Sequence, residues 1–423
     1  MYASRGIDGP ICLRQMTNYQ AARLDLGALL AAVEDAPPVA AVEVLAGELA
    51  DLLGAMDVEF LIADFSGQAL VRLGHAGNFA ASRASGKETA DRVPLSDGVH
   101  GRVLASQDVE VTNGDDGARV LAPVTNRGEA IGVLELLLPR APDDQTLTDI
   151  TLAAHALAYV VIANRRYTDL FEWGQRSVPL SLAAEIQHRL LPASYTCEAG
   201  QFTLAGWLEP AGNSAGDTFD FSLERGSLHL SLTDAMGHNV SAAVLATLLV
   251  GALRNARRAG VDLAAQARSA SAALFEHTED SEFATGQLVR IDLTSGSAHV
   301  INAGHPCPLR VRSGRVETVN LDADPPFGVV RDHGYRVQAL PLEPGDRLWF
   351  LTDGLLERNA AHLDMRALVE GSAGQHPREA VQHLMAAVLE ASGGELRDDA
   401  TALCLDWHGG QERERNSSSG ANR

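Results

Sequence analysis

The sequence predicts an α+β chain of two folded units joined by a helical connector. Three observations lead there. The chain has 423 residues, the length of about two or three domains. Short apolar runs separated by turn residues recur in both halves, as strands do. Between the halves, residues 147–192 carry helical periodicity instead. Hydrophobic residues make up 46% of the chain and charged residues 21%, which suits a globular protein with real cores.

Residues 1–24 show no sustained periodicity and read as a poorly ordered tail. From 25 to 53, Leu26, Leu29, Leu30 and Val33, then Val42, Val44, Leu45, Leu49, Leu52 and Leu53, recur at helical spacing, and Pro37-Pro38 divides them into two helices. Alternating runs at 58–64, 68–74, 101–111, 119–124 and 130–138 read as an antiparallel sheet, which completes a compact unit over 25–165. After Pro142, Leu147, Ile150, Leu152, Ala154, Leu157, Val160 and Val161 predict a long helix running on through Leu170 and Phe171 to Trp173. A second helix, 180–192, is bounded by Pro179 and Pro192. Residues 147–192 are thus a connector that overlaps the first unit, or else helices that cap each domain. Beyond residue 193, strands at 227–237, 286–293, 296–305, 346–354 and 400–407 alternate with helices at 241–260 and 377–393, a layered unit ending near 408. The tail 409–423 is polar and reads as disordered.

Composition removes several functions. A net charge of −21 without a segregated basic face argues against nucleic acid as a partner. The four cysteines, Cys12, Cys197, Cys307 and Cys404, form no CxxC pair, so neither a disulfide framework nor a zinc site is indicated, and a reducing cytoplasm fits. No charged-then-apolar leader and no uninterrupted apolar run of ~18 residues is present, so neither export nor a membrane span is expected. Lys87 is the only lysine and precedes Glu88, which excludes a P-loop and makes Schiff-base chemistry improbable.

The C-terminal half places aspartates at strand ends. Asp217 follows a Ser-Ala-Gly turn, Asp234 ends HLSLTD, Asp353 ends DRLWFLTD, and Asp398-Asp399 precede ATALCLD. Taken singly, each is more often a turn or cap residue than a ligand. Gathered in one cleft, they would raise one another's pKa unless cations sat among them, and all-oxygen donors suit magnesium or manganese.

The order of motifs sharpens this reading. EIQHRLLP (185–192), SAGD (214–217), DAMGHN (234–239), NAGHPCPL (302–309), PPFGV (325–329), GDRLWFLTDGLLERN (345–359) and DDAT (398–401) resemble the SpoIIE-type branch of the PPM, or type 2C-like, protein serine/threonine phosphatases. The resemblance implies an α/β/β/α sandwich over 193–408 with two Mn2+ or Mg2+ ions at one edge. It implies that Asp234 bridges the ions, that the Ala235 backbone carbonyl adds a ligand, that Asp353 and Asp398 hold the other ion, and that Asp217 reaches the metals directly or through water, with Asp399 a further candidate. The ions would activate a shared water for in-line attack on a phosphomonoester. The resemblance also implies the branch's usual substrate, a phosphoserine on an anti-sigma-factor antagonist of STAS fold. Two departures stand out: Ala215 replaces the family's first glycine, and Asn239 replaces the glycine that ends Gly-His-Gly. Asn tolerates positive φ, so the second change is the milder.

PLSDGVHGRVLASQDVEV (94–111) and VLAPVTNRGEAIGVLELLLP (120–139) resemble a GAF domain. That resemblance implies a sensory unit in which Gly98 and Gly101 open a helix beside a ligand cavity; the cyclic-nucleotide signature is absent, and the ligand is not identified. His100 reads as an exposed loop histidine rather than a haem ligand, and His188 as a solvated helix-face residue rather than a phosphoacceptor. His238 and His305 are general-acid candidates, weighed against a loop-fixing role. Paired connectors would suit a homodimer. Two other functions were weighed: a sensor histidine kinase, disfavoured by the missing Asn-rich helix and Gly-rich lid, and a pseudo-phosphatase that sequesters a signalling partner.

Overall fold

The computed structural model describes residues 24–65, 67–75, 92–95, 98–176, 180–212, 215–277, 282–358 and 363–410. The expected N-terminal tail lies outside these residues except for Leu24, which is buried, and so do Lys87 and most of the C-terminal tail.

The N-terminal half opens with α1 (Leu26–Asp35), whose N-cap Asp25 accepts from the amides of Gly27 and Ala28. Pro37-Pro38 ends it, a short 3-10 turn (Pro38–Ala40) follows, and α2 (Ala41–Leu53) stops at Gly54 with φ 62°. Then come β1 (Asp57–Ala63), β2 (Ala69–His75), β3 (Arg92–Pro94), α3 (Val99–Ser106), β4 (Glu110–Gly114), β5 (Gly117–Asn126) and β6 (Glu129–Leu138). They make one antiparallel sheet in the order β3-β2-β1-β6-β5-β4. The 101–111 run expected as a strand is corrected: its first part is α3, because Val99, Val103 and Leu104 share one helical face and pack against Leu61, Leu121 and Val133 of the sheet.

The long helix expected from 147 to 173 is also corrected. It breaks into α4 (Asp144–Asn164) and α5 (Leu170–Gln175). Ile150, Ala153, Leu157 and Val161 of α4 and Phe171 of α5 join α1 and α2 in one core on the other face of the sheet. Both helices therefore pack as part of the N-terminal unit. The third helix, α6 (Leu182–Leu190), packs instead against the C-terminal half, with Ser181 as N-cap and Pro192 just beyond its end.

The C-terminal half has two facing sheets. One has the order β15-β12-β11-β10-β9, from β9 (Asp217–Leu223), β10 (Ser227–Ala235), β11 (Ala284–Asp292), β12 (Ala298–Ala303) and β15 (Gln338–Ala339). The other is β14-β13-β16-β17-β8-β7, from β7 (Thr196–Ala199), β8 (Phe202–Glu209), β13 (Leu309–Arg312), β14 (Arg315–Thr318), β16 (Arg347–Leu351) and β17 (Ala400–Trp407). Strand alternation distributes the apolar residues. Leu348, Phe350, Leu403 and Leu405 face Leu228, Leu230 and Val289 between the sheets, while Trp349, Leu351 and Cys404 turn outward. That outer face is covered by α9 (Met365–Gly371) and α10 (Pro377–Ala391); the other sheet is covered by α7 (Asn239–Arg258) and α8 (Leu263–His277). The layering is α/β/β/α, as the resemblance implied. Helices α4 and α7 are each long and apolar enough to cross a membrane by length and composition; 50% and 44% of their apolar windows are buried in the protein, as in core helices.

The two halves meet at the β5–β6 turn. Arg127 (φ 47°) and Gly128 (φ 84°) form its tip; the Arg127 carbonyl accepts from Glu198 N at 3.0 Å and the Gly128 carbonyl from buried Arg378. Glu129 pairs with Ser194, and Arg165 Nη2 donates to the Ala193 carbonyl at 2.7 Å. A cleft of about 1770 Å3 runs beside this contact. A Cβ at Gly128 would lie 2.7 Å from the Glu198 side chain in a left-handed backbone. Gly128→Ala is therefore expected to cost about 1–3 kcal/mol and to loosen the contact between the halves, measured by denaturant unfolding and limited proteolysis; unchanged stability would speak against the docking.

Candidate active site

Asp217 opens β9 directly across from Asp234, near the end of β10. Two carboxylates in register repel each other, so something must hold them. Asp217 is buried, and its Oδ2 accepts from Thr352 Oγ1 at 2.8 Å and Thr401 Oγ1 at 2.6 Å. Those threonines belong to the opposite sheet's central strands: Thr352 follows β16, and Thr401 lies in β17. They are tied to each other, Thr401 N donating to Thr352 Oγ1 and Thr352 N to the Thr401 carbonyl, each at 3.1 Å. Beside Asp217, the Thr218 and Thr233 hydroxyls bond across β9 and β10 at 2.6 Å. Asp353 is the next residue after Thr352, and Asp398 and Asp399 lead into β17, so both sheets deliver carboxylates to one edge of the sandwich.

Asp399 is fully engaged by the protein. Its Oδ1 accepts from Ala211 N at 2.8 Å; its Oδ2 accepts from Gln187 Nε2 at 2.6 Å and Gly216 N at 3.1 Å. Gln187 Nε2 also donates to the Asp217 carbonyl at 2.9 Å. Asp234, Asp353 and Asp398 are half-buried.

The electrostatics follow from this crowding. Burial pushes the Asp217 carboxyl well above the usual carboxylate range, the charges of Asp234 and Asp399 push it the same way, and the two threonine hydroxyls oppose them. Burial likewise pushes Asp399 up to about 6, against the pull of the Ala211 amide and Gln187. A cation would reverse these pressures, and the donors are all hard oxygens, so the residues fit Mg2+ or Mn2+ by chemistry. Among the described residues, no group of three or more His, Cys, Asp or Glu is arranged as a ready-made ion site. The fold thus provides a shared acidic neighbourhood, not a closed ligand shell.

The loops show which small residues matter. A Cβ at Gly216 would lie 2.2 Å from the Ala235 carbonyl oxygen, and Ala235 N donates back to the Gly216 carbonyl at 3.1 Å. A Cβ at Gly354 would lie 1.9 Å from the Asp399 carbonyl oxygen. Ala215 is buried without positive φ, so its position does not demand glycine. Asn239 takes φ 62°, the left-handed conformation its replacement of glycine required, and Gly237 takes φ 108°.

The histidines differ from several expectations. His305 is buried, its Nδ1 2.8 Å from Thr285 Oγ1 and its amide donating to Asn302 Oδ1 at 2.8 Å; burial lowers its pKa to about 4. At neutral pH its ring is therefore uncharged, and its ring and amide bonds hold its loop. His238 is exposed at the N-cap of α7. His188 is not solvated: it packs on the Phe65 ring at 4.0 Å and bonds Tyr195 Oη at 3.0 Å, and burial lowers its pKa to about 4. His100 is not in an exposed loop, since it lies in α3 and pairs with Glu135 at 2.9 Å. Sequence reasoning missed Thr352, Thr401 and Gln187 as site residues, although each sits inside a quoted motif.

Gly216→Ala is expected to destabilise by about 1–3 kcal/mol and to displace Asp217, whereas Ala215→Gly should cost only about 1 kcal/mol; denaturant unfolding of both variants checks this. The folded chain keeps His188 and His305 neutral down to about pH 4, while unfolded histidine protonates near 6.5. Their contribution to stability is complete above about pH 6.5 and is lost as pH falls towards 4. A His305→Gln variant should show a shallower fall over that window, and an unchanged slope would contradict the assignment.

Residues 224–408 match the family model for stage II sporulation protein E (SpoIIE). The chain is 20% identical over 236 residues to phosphoserine phosphatase RsbU of Bacillus subtilis, covering 53% of this chain and 69% of that protein. The solved phosphatase domain and regulatory-domain fragment of SpoIIE from Bacillus subtilis is similar at 21% identity and TM-score 0.44, over 50% of this chain and 65% of that one. The RsbU and RsbW domains of a Mycobacterium tuberculosis protein are similar at 25% identity and TM-score 0.45, over 51% and 62%. The chain spans less than two thirds of either solved chain. The family model thus covers less than half of the chain, in the part that folds as the two-sheet sandwich.

Proposed function

We propose that the chain is a metal-dependent protein serine/threonine phosphatase that hydrolyses a phosphoserine or phosphothreonine on a regulatory protein, regulated by its N-terminal GAF-like unit. The observation that carries this is the junction at Asp217, where hydroxyls from one sheet hold a carboxylate of the other opposite Asp234. The sheet order of the N-terminal unit supports a separate folded module against the catalytic half.

In this reading Asp234, the Ala235 carbonyl, Asp353 and Asp398 would hold two Mn2+ or Mg2+ ions, with Asp217 as the innermost carboxylate. Such ions supply charge neutralisation and water activation for attack at phosphorus. The chain's own part is positional. Thr352 and Thr401 keep Asp217 aimed, Gly216 allows its strand to approach Ala235, and Asp399, already saturated by protein donors, organises the 211–217 segment rather than binding an ion. Bound cations would also offset the repulsion between a phosphate and so acidic a protein. The proposed substrate, a phosphorylated anti-sigma-factor antagonist of STAS type, and a cytoplasmic setting rest on the motif resemblance and on the similarity to a phosphoserine phosphatase.

The alternative reading is a non-hydrolytic role in which the domain sequesters its partner, suggested by Ala215 and Asn239 in place of the family's glycines. Hydrolysis separates the two. Wild type is expected to cleave p-nitrophenyl phosphate and a phosphoserine peptide only with Mn2+ or Mg2+, and Asp234→Asn to fall to background. Wild type that binds a phosphorylated partner but stays inert with both metals would establish sequestration instead.

A further inference from the structure

Asp234 stands between two neighbours at the carboxylate end of the inter-sheet space. Leu228, Leu230 and Leu232 of β10 and Val289 and Ile291 of β11 fill that space, and strand alternation carries Asp234, Thr285 and Gln287 onto the same face. In register, Asp217 lies across from Asp234 on β9 and Thr285 lies across from it on β11. The β9 side is tied to the opposite sheet by Thr352 and Thr401. On the β11 side, the loop after β12 folds back. Gln287 Nε2 donates to the Pro306 carbonyl at 2.8 Å and His305 N to Asn302 Oδ1 at 2.8 Å. These bonds lay the His305 ring beside Thr285, with Nδ1 2.8 Å from Oγ1. The ring is 4% exposed. Its Nε2 is buried and makes no bond of ordinary geometry, and the Leu351 backbone on the opposite sheet favours a proton on the ring. Leu351 ends β16, and Thr352 and Asp353 follow it.

We propose that His305 is a positioning residue that sets the spacing between the strand end carrying Asp234 and the strand end carrying Asp353. The inference deepens the phosphatase reading and rests on it. A neutral imidazole has one N–H and one acceptor nitrogen. With Nδ1 accepting the Thr285 hydroxyl, the N–H sits at Nε2 and is directed to the Leu351 carbonyl. A buried N–H without a partner is costly, so the ring draws the end of β16 towards β11. Asp353 is two residues beyond that carbonyl, and Thr285 is directly opposite Asp234. The ring therefore spans the two carboxylates' strands on one flank of Asp234, as Asp217 and its threonines do on the other. This role needs no contact between the ring and an ion or the substrate, and no change in its charge.

The test uses the full chain. His305→Phe keeps a ring and removes both nitrogens. His305→Asn keeps a polar group near the Nδ1 position and can meet Thr285 alone, whereas His305→Gln places an amide N–H near the Nε2 position and can still reach Leu351. Calorimetric Mn2+ binding is expected to weaken about 10–100-fold in His305→Phe and His305→Asn, with kcat for a phosphoserine peptide falling and KM little changed. His305→Gln should return towards wild type. Without metal, amide exchange at Thr352 and Asp353 should quicken in His305→Phe and His305→Asn. A histidine that fixed only its own loop would quicken exchange at Gly304 and Cys307 in all three and leave Thr352 and Asp353 as they are. That result, or His305→Asn binding Mn2+ better than His305→Gln, would overturn the proposal. Thr285→Val removes the hydroxyl that orients the ring and guards against misfolding at 305. It should weaken Mn2+ binding in the same direction, and wild-type affinity and exchange there would also overturn the role. If wild type neither binds Mn2+ nor hydrolyses phosphate, the phosphatase reading fails, and metal-free exchange at Thr352 and Asp353 alone still decides the role of His305.

Discussion

The C-terminal half depends on one oxygen atom. Asp217 Oδ2 accepts two threonine hydroxyls from the opposite sheet, and with the Asp399 bonds to Ala211 and Gly216 these join the sheets where the carboxylates gather. A hydrogen bond of this kind contributes about 0.5–1.5 kcal/mol net. Against them stand burial and the neighbouring charges of Asp234 and Asp399. Such a balance is common at functional sites, where residues are arranged for chemistry at a cost in stability. It also sorts the aspartates: Asp217 and Asp399 are buried against protein donors, and Asp234, Asp353 and Asp398 are half-buried.

The close approaches at Gly216 and Gly354 belong to the same constraint. Each brings a backbone to within contact of a carbonyl at the carboxylate edge, Ala235 in one case and Asp399 in the other. The glycine that the family pattern places at 215 is dispensable because no positive φ or close approach is required there, while Asn239 can replace glycine because its side chain tolerates the left-handed backbone. Substitution is tolerated where only volume changes and resisted where two backbones meet.

Much of this was legible in the sequence, for reasons that can be named. The aspartates stood out because aspartate is a poor strand residue, and each stands at the end of a short apolar run. Pro37-Pro38 and Pro192 marked helix limits where they fall. The break between α4 and α5 was hidden because Asn164-Arg165-Arg166-Tyr167 contains neither proline nor glycine. The 101–111 run was misread because a one-sided helix and a following strand share an apolar spacing too short to separate them. Gln187, Thr352 and Thr401 were invisible as site residues because their meaning lies in partners more than 130 positions away, Gln187 with Asp399 being separated by 212 and Thr352 with Asp217 by 135. His188 looked solvated for the same reason, its partner Phe65 lying in the other half.

The most direct measurement is anomalous diffraction at the manganese edge from crystals of the full chain grown with Mn2+. Two peaks between Asp234, Asp353 and Asp398, with Asp217 behind them, are expected, and both should vanish in Asp234→Asn. A well-ordered map with no peak at that edge, or with Mn2+ bound elsewhere while these aspartates face solvent, would contradict the central claim that the two sheets gather their carboxylates to hold hard cations.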